Sequence, residues 1–521
     1  MSDLSEIKSY APTSEALTRR EFVGSAIGTA VVAGLSAPVR AAAVNDIVMM
    51  RATDLSAAIR NKKVSCREVM SAYLDHIDRV NPPFNAIVTR VDRESLLKQA
   101  ESADADLAKG AVHGWMHGFP HAVKDLAATK GIRTTLGSPV FESFTPPFDA
   151  IFVERLKSNG AIIIGKTNTP ELGLGSQTYN PIFGVTRNAY DPSKTAGGSS
   201  GGASASLALR LQPVADGSDF AGSLRNPAGW NNIYGLRPSA GRVPFGPTAE
   251  VFMQSIGYEG PMARNPSDLA MLLSVMAGYD RRTPLSLTEP ASTFAAPLKR
   301  DVAGTRIGWL GDLNGIPMEA GMLDFCLGAL RRLEDAGCKI EPATLGVSRD
   351  VIWKSFVTLR QGFLAGALAP LYKDPAKQPL FKPEAAWEIE GGMRLSAVDL
   401  YAASIQRSSV YQAFDRLFEQ FDFLAMPSAQ VFPFSTDLHW PKEVAGVAMD
   451  SYHRWMEIVA GPSLAGLPTV AVPAGFGPGG LPTGIQIIGP SQKDFSILQL
   501  AYAYEQVSSQ ATDRLPDALT K

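Results

Sequence analysis

The residues with chemical potential are concentrated in a few short stretches. The densest is TAGGSSGGASASLALRLQPVADGSDFAGSLRNPAG, residues 195–229, where glycines and small hydroxyl residues surround one short apolar run. Side chains this small build little core, but they let backbone N–H groups approach another atom closely. A serine hydroxyl in such a setting becomes a useful nucleophile only when a base takes its proton. Histidine, the usual base, is scarce: the chain has six. Three of them, His113, His117 and His121, stand in HGWMHGFPH with the spacing of a helical metal face. Gly114, Gly118 and Pro120 forbid a stable helix there, so no metal site is expected.

These stretches need a scaffold, and helical and strand signals alternate along the chain as in α/β architecture. SCREVMSAYLDHIDRVNP opens with a capping box, Ser65 and Glu68, and Val69, Ala72, Tyr73, Ile77 and Val80 then share one helical face. DRESLLKQAESADADLAKG is a second amphipathic helix, whereas PHAVKDLAA and AIIIGKTNTPE read as buried strands that run into polar loops. MLDFCLGALRRLEDAG followed by CKIEPAT reads as helix, glycine stop and strand, and FDFLAMPS and GIQIIGP as further short buried strands. Arg281 to Arg300, with its prolines and threonines, is the best candidate for a long connection.

Composition narrows the function classes. The chain has 521 residues, 45% hydrophobic and 19% charged, with a formal charge of −2, which gives no reason to expect nucleic acid or an anionic membrane as a partner. Three cysteines, Cys66, Cys326 and Cys338, make no disulfide framework. The N-terminal segment resembles a twin-arginine export signal. TRREF is followed by the Gly/Ala-rich run VGSAIGTAVVAGLSAP and then by Ala41-Ala42-Ala43, which suits a cleavage site. Residues 1–43 are therefore expected to be a signal, and 44–521 the working domain of a periplasmic or otherwise exported protein. The apolar run is too short and glycine-rich for stable membrane insertion, so the export machinery is the expected partner of this segment. A homodimer is one option for the mature chain.

Seven motifs taken together resemble the amidase signature family of serine amidohydrolases. In chain order they are GFPHAVKD (118–125), GKTNTPELG (165–173), GGSSGG (197–202), DFAGSLRNPA (219–228), YGLRPSAGRV (234–243), GLPTVAVPAGF (466–476) and GLPTGIQIIG (480–489). They cover nearly all of the mature chain. The resemblance implies a single large α/β/α domain around a mixed, mostly parallel-type central sheet. It also implies hydrolysis of a carboxamide C–N bond in a small-molecule amide, with no metal or organic cofactor. By motif position Ser223 matches the acylated nucleophile, Ser199 the bridging serine in a cis peptide bond, and Lys124 the general base. Ser200 is then a supporting neighbour, and Asp219 and Arg225 brace the loop.

The physical logic agrees with that assignment. A lysine works as a base only when neutral, so its pKa must fall from about 10.4 toward about 7–8, and burial among the apolar residues of AVKDL favours this. Ser199, both donor and acceptor, can pass a proton between Lys124 and Ser223. The backbone N–H groups of Phe220, Ala221, Gly222 and Ser223 are the expected oxyanion donors. Ala221 stands where the family usually has the first glycine of a pair and would resist a positive φ; with the bulky Phe220 it is expected to narrow the acyl pocket. Two rival readings stand beside this one. SLLK (Ser95 to Lys98) and KTAG (Lys194 to Gly197) faintly match a penicillin-recognising serine acylase, but Ser95 and Lys98 fall on a solvated helix. An exported amide-binding protein with a degenerate cleft is the other. The family's glutaminyl-tRNA amidotransferase role is disfavoured by the export signal. Substrate selectivity is expected from about Val351 to Ala403.

Overall fold

The computed structural model describes residues 44–253 and 255–520; the expected export signal, residues 1–43, lies outside the described residues. The apolar runs form strands, in chain order β1 (Ile87–Val88), β2 (Pro120–Lys124), β3 (Ile162–Thr167), β4 (Ala215–Asp219), β5 (Tyr234–Arg237) and β6 (Tyr258–Ala263). They continue with β7 (Arg306–Trp309), β8 (Lys339–Pro342), β9 (Phe423–Pro427), β10 (Glu443–Val444), β11 (Val447–Ala448), β12 (Thr469–Phe476) and β13 (Pro482–Ile488). Eight of them form one sheet in the order β4-β6-β5-β12-β13-β9-β7-β8; β1, β3 and β2 form a small second sheet, and β10 pairs with β11.

The large sheet has a core on each face, because successive side chains of a strand point to opposite sides. Phe423 and Ala425 of β9 join one apolar cluster with the helices Pro266–Met276, Met322–Leu330 and Asp494–Thr512. Leu424 and Met426 join the other, with the helices Arg349–Tyr372 and Ala397–Phe418. This is a three-layer α/β/α arrangement around a mixed sheet. The expected predominance of parallel pairing is corrected: only β9 with β7 and β7 with β8 are parallel, and the other five junctions are antiparallel. One cause is visible in β12 and β13. Only residues 477–481 separate them, and so short a link permits a hairpin but not the crossover a parallel pair needs.

The small sheet positions Lys124. β2 runs parallel to β3, and its other side lies along the free edge of β4. Side chains bridge that gap: Gln212 Oε1 accepts from Ala122 N at 2.8 Å and Asp216 Oδ2 from Lys124 N at 3.1 Å. They satisfy β2 donors that have no strand partner on that side. The capping box at Ser65 and Glu68 forms, and the helix Cys66–Val80 buries the expected face. Arg281 to Arg300 runs within one compact unit that the described residues from 44 onward form. No helix among the described residues is long and apolar enough to cross a membrane.

Candidate active site

Lys124 ends β2, and its side chain is buried. Nζ donates to Ser199 Oγ at 2.8 Å, Ser200 Oγ at 2.9 Å and Ser218 Oγ at 2.9 Å. Burial pushes its pKa down to about 8, while the carboxylates of Glu259, Asp216 and Asp219 pull the other way. The backbone under it is pinned by Asp216, whose other oxygen bonds His121 Nε2 at 2.9 Å. His121 is therefore a buried anchor. His113 and His117 stack with ring centroids 5.3 Å apart, and their Nε2 atoms bond Asp106 and the Ala103 carbonyl; the three rings do not share one centre.

Ser199 and Ser200 precede the helix Gly201–Ala208, and the Gly198–Ser199 peptide is cis. The glycines around them serve close packing. A Cβ on Gly202 would stand 2.3 Å from Asn168 N and 2.6 Å from Ala86 O, so only glycine lets this helix start against β3 and its loop.

The loop after β4 presents Ser223. Asp219 organises it: Oδ1 accepts from Gly222 N at 2.7 Å, and Oδ2 from Leu224 N and Arg225 Nε, both at 3.0 Å. Arg225 Nη2 closes the fork on Oδ1 at 3.0 Å, and Arg237 adds a longer bond. Burial alone would raise the Asp219 carboxyl, but Arg225 and Arg237 override it and hold the group well below the usual carboxylate range. One expectation is corrected here. The Gly222 N–H is turned onto Asp219 and does not face the cavity as an oxyanion donor. The N–H groups of Phe220, Ala221 and Ser223 meet no acceptor among the described residues. The left-handed φ of +88° falls on Gly222, so Ala221 fits without strain.

Ser199 and Ser223 line one cavity of about 370 Å³, walled mainly by apolar side chains such as Leu126, Leu172, Leu364 and Leu368. Phe220 and Phe356 meet edge to face at 6.3 Å, with the Arg360 guanidinium 5.0 Å from the Phe220 ring. Glu388 and the Tyr452 hydroxyl accept from Arg360 at 2.6 and 2.8 Å. Of the 351–403 region, Phe356, Arg360, Leu364 and Leu368 of the helix Arg349–Tyr372 line this cavity. Lys124 is thus hydrogen-bonded to Ser199, whereas no direct hydrogen bond joins Ser199 to Ser223 among the described residues. Sequence reasoning missed Ser218, Asp216 and Glu259. A period-2 reading of ADGSD would have put Asp216 and Ser218 on one face toward Lys124; Glu259 depends on strand pairing and had no local signal.

The comparisons with known proteins agree with this geometry. The family model described as Amidase matches residues 68–498. The chain is 34% identical over 482 residues to a glutamyl-tRNA(Gln) amidotransferase subunit of Alcanivorax borkumensis, covering 88% of this chain and 96% of that one. It is 31% identical over 474 residues to an acylamidase of Rhodococcus erythropolis, covering 90% and 98%. A bacterial aryl acylamidase of the amidase signature enzymes superposes with a TM-score of 0.84 at 29% identity, over 89% of this chain and 98% of that one. The chain belongs to the amidase signature family. It is an enzyme of the class that acts on C–N bonds.

Proposed function

We propose that this chain hydrolyses carboxamides through an acyl-enzyme on Ser223, with Ser199 as relay and Lys124 as base. The observation that carries this reading is the buried Lys124 amine, 2.8 Å from Ser199 Oγ and with its pKa pushed down to about 8 by burial, on a cavity that Ser223 also lines. Lys124 takes the Ser199 proton as Ser199 takes that of Ser223, and Ser223 Oγ attacks the amide carbonyl. The oxyanion is met by the N–H groups of Phe220, Ala221 and Ser223. The proton returns through Ser199 to the leaving nitrogen, the amine departs, and water attacks the acyl ester after losing its proton along the same route. The acid leaves and the Ser223 proton is restored.

The test is hydrolysis of an amide panel by the mature protein, with peptide mapping after a fluorophosphonate label. The label is expected on Ser223, and Ser223→Ala should abolish turnover while the protein stays folded. Ser95 and Lys98 are exposed on the helix Arg93–Ala108; label on Ser95 would restore the acylase reading. Binding of amides without turnover of any would favour a degenerate cleft. The apolar walls favour substrates with an aliphatic or aromatic acyl group. The likeness to amidotransferases supports a second reading, release of ammonia from glutamine, which a direct ammonia assay with glutamine separates from acylamide hydrolysis.

Export is part of the same proposal and rests on Arg19-Arg20 and the run that follows. Replacing both arginines with lysine should leave the protein in the cytoplasmic fraction; unchanged export would refute a twin-arginine route.

A further inference from the structure

We infer that Glu259 is a positioning residue for the base: its carboxylate, facing Lys124 across the β4–β6 pair, holds the lysine's proton in place and sets the pH at which the reaction starts. This rests on the reading of Lys124 as base.

The placement comes from strand register. Ser218 of β4 stands directly opposite Glu259 of β6, so the two side chains share a face. Ser218 Oγ accepts from Lys124 Nζ at 2.9 Å, which puts the Glu259 carboxyl beside the amine without a direct ion pair. Glu259 is 7% exposed and lines the reaction cavity, and among the described residues its carboxyl has no hydrogen-bond or ion-pair partner. Burial raises its pKa to about 8, while the Lys124 and Lys166 ammoniums pull it down, so Glu259 and Lys124 exchange charge over the same pH range.

The other charged groups around Lys124 are committed. Asp216 of β4 is held by His121 and by the Lys124 backbone. Asp219, at the end of β4, is locked between Arg225 and Arg237. On β3, Lys166 donates to the Ala127 carbonyl and Thr129 Oγ1, both at 2.7 Å. Arg360, across the cavity, pairs with Glu388. Tyr258, the neighbour of Glu259 on β6, lies under Arg237. Glu259 is thus the acid near Lys124 whose charge is not already spent on another cation. Once ionised, its carboxylate favours the ammonium form, and the three hydroxyls around Nζ suit that form. The base is therefore freed only as pH rises, and removing Glu259 should free it earlier. The lysine's proton goes to solvent in either case.

The experiment is the pH dependence of kcat/KM, from pH 5 to 10, on an anilide the wild type hydrolyses, for wild type, Glu259→Gln and Glu259→Leu. The midpoint of the acid limb should move down in both variants, by up to about one pH unit, because the ionising Glu259 retains the lysine's proton in wild type. The difference is expected between about pH 7 and 9, where Glu259 ionises in wild type, and not near pH 6, where its carboxyl is protonated. An acid limb that stays in place in the folded variants, with a loss equal at all pH values, overturns the inference. A measurement free of turnover backs it. The Glu259 side-chain ¹³C resonance should titrate at a higher pH in Lys124→Met than in wild type, because coupling is reciprocal; an unchanged titration also overturns it. If Lys124→Met keeps its turnover, the reading of Lys124 as base fails first. If it loses turnover while the limb stays put, only the role of Glu259 falls.

Discussion

Lys124 carries the argument at the scale of single residues. Its amine is useful only when uncharged, and burial lowers its pKa to about 8 against the pull of three carboxylates. The sign follows directly: below that value the ammonium form dominates and the base is lost. We therefore expect kcat/KM to fall about tenfold per pH unit on the acid side of about pH 8, as a pH–rate profile would show; an optimum near pH 4 would exclude the role. Lys124→Met removes the base but not the apolar stem, so it should lower kcat by about 10²–10⁴-fold with little change in the melting curve.

The element that matters most is the turn from β4 into the helix Asn226–Trp230, which Asp219 holds from within. Asp219→Asn would leave Arg225 and Arg237 buried with an incomplete partner, at a cost of about 3–5 kcal/mol, measurable by denaturant unfolding. The pH dependence has a definite direction. The Asp219 pKa is depressed by folding, so below the unfolded value of about 3.9 the unfolded chain binds more protons and the native state loses stability. Wild type should shed that contribution as the pH falls below about 4, and Asp219→Asn should not show the step. In the same turn, a Cβ on Gly222 would approach Val459 Cγ2 to 2.8 Å at a left-handed φ. Gly222→Ala should cost about 1–2 kcal/mol in backbone strain and lower kcat by tilting the neighbouring N–H groups, seen in paired melting and turnover measurements.

Over the whole molecule, the two layers of helices do different work. One side buries the sheet, while the helix Arg349–Tyr372 on the other also contributes Phe356, Arg360, Leu364 and Leu368 to the cavity wall. Under the proposed mechanism, selectivity can therefore change without touching Lys124, Ser199 or Ser223. Leu364→Trp should reduce the space for the substrate. Its kcat/KM is expected to drop at least tenfold for bulky aryl amides and to stay near wild type for acetamides; equal losses on both would place the acyl group elsewhere.

Local sequence determined the helices and strands that carry strong periodicity, because spacing and capping act over a few neighbours. Lys124, Ser199 and Ser223 are singled out through the resemblance of their motifs to a known family. Local sequence also suggested the ion pair of Asp219 with Arg225, which lie six residues apart. Only tertiary structure decided the antiparallel majority of the sheet, the turning of the Gly222 N–H onto Asp219, and the meeting of Ser218 with Glu259. Each depends on which segment lies alongside which, and that choice is made by burial of whole faces across hundreds of residues.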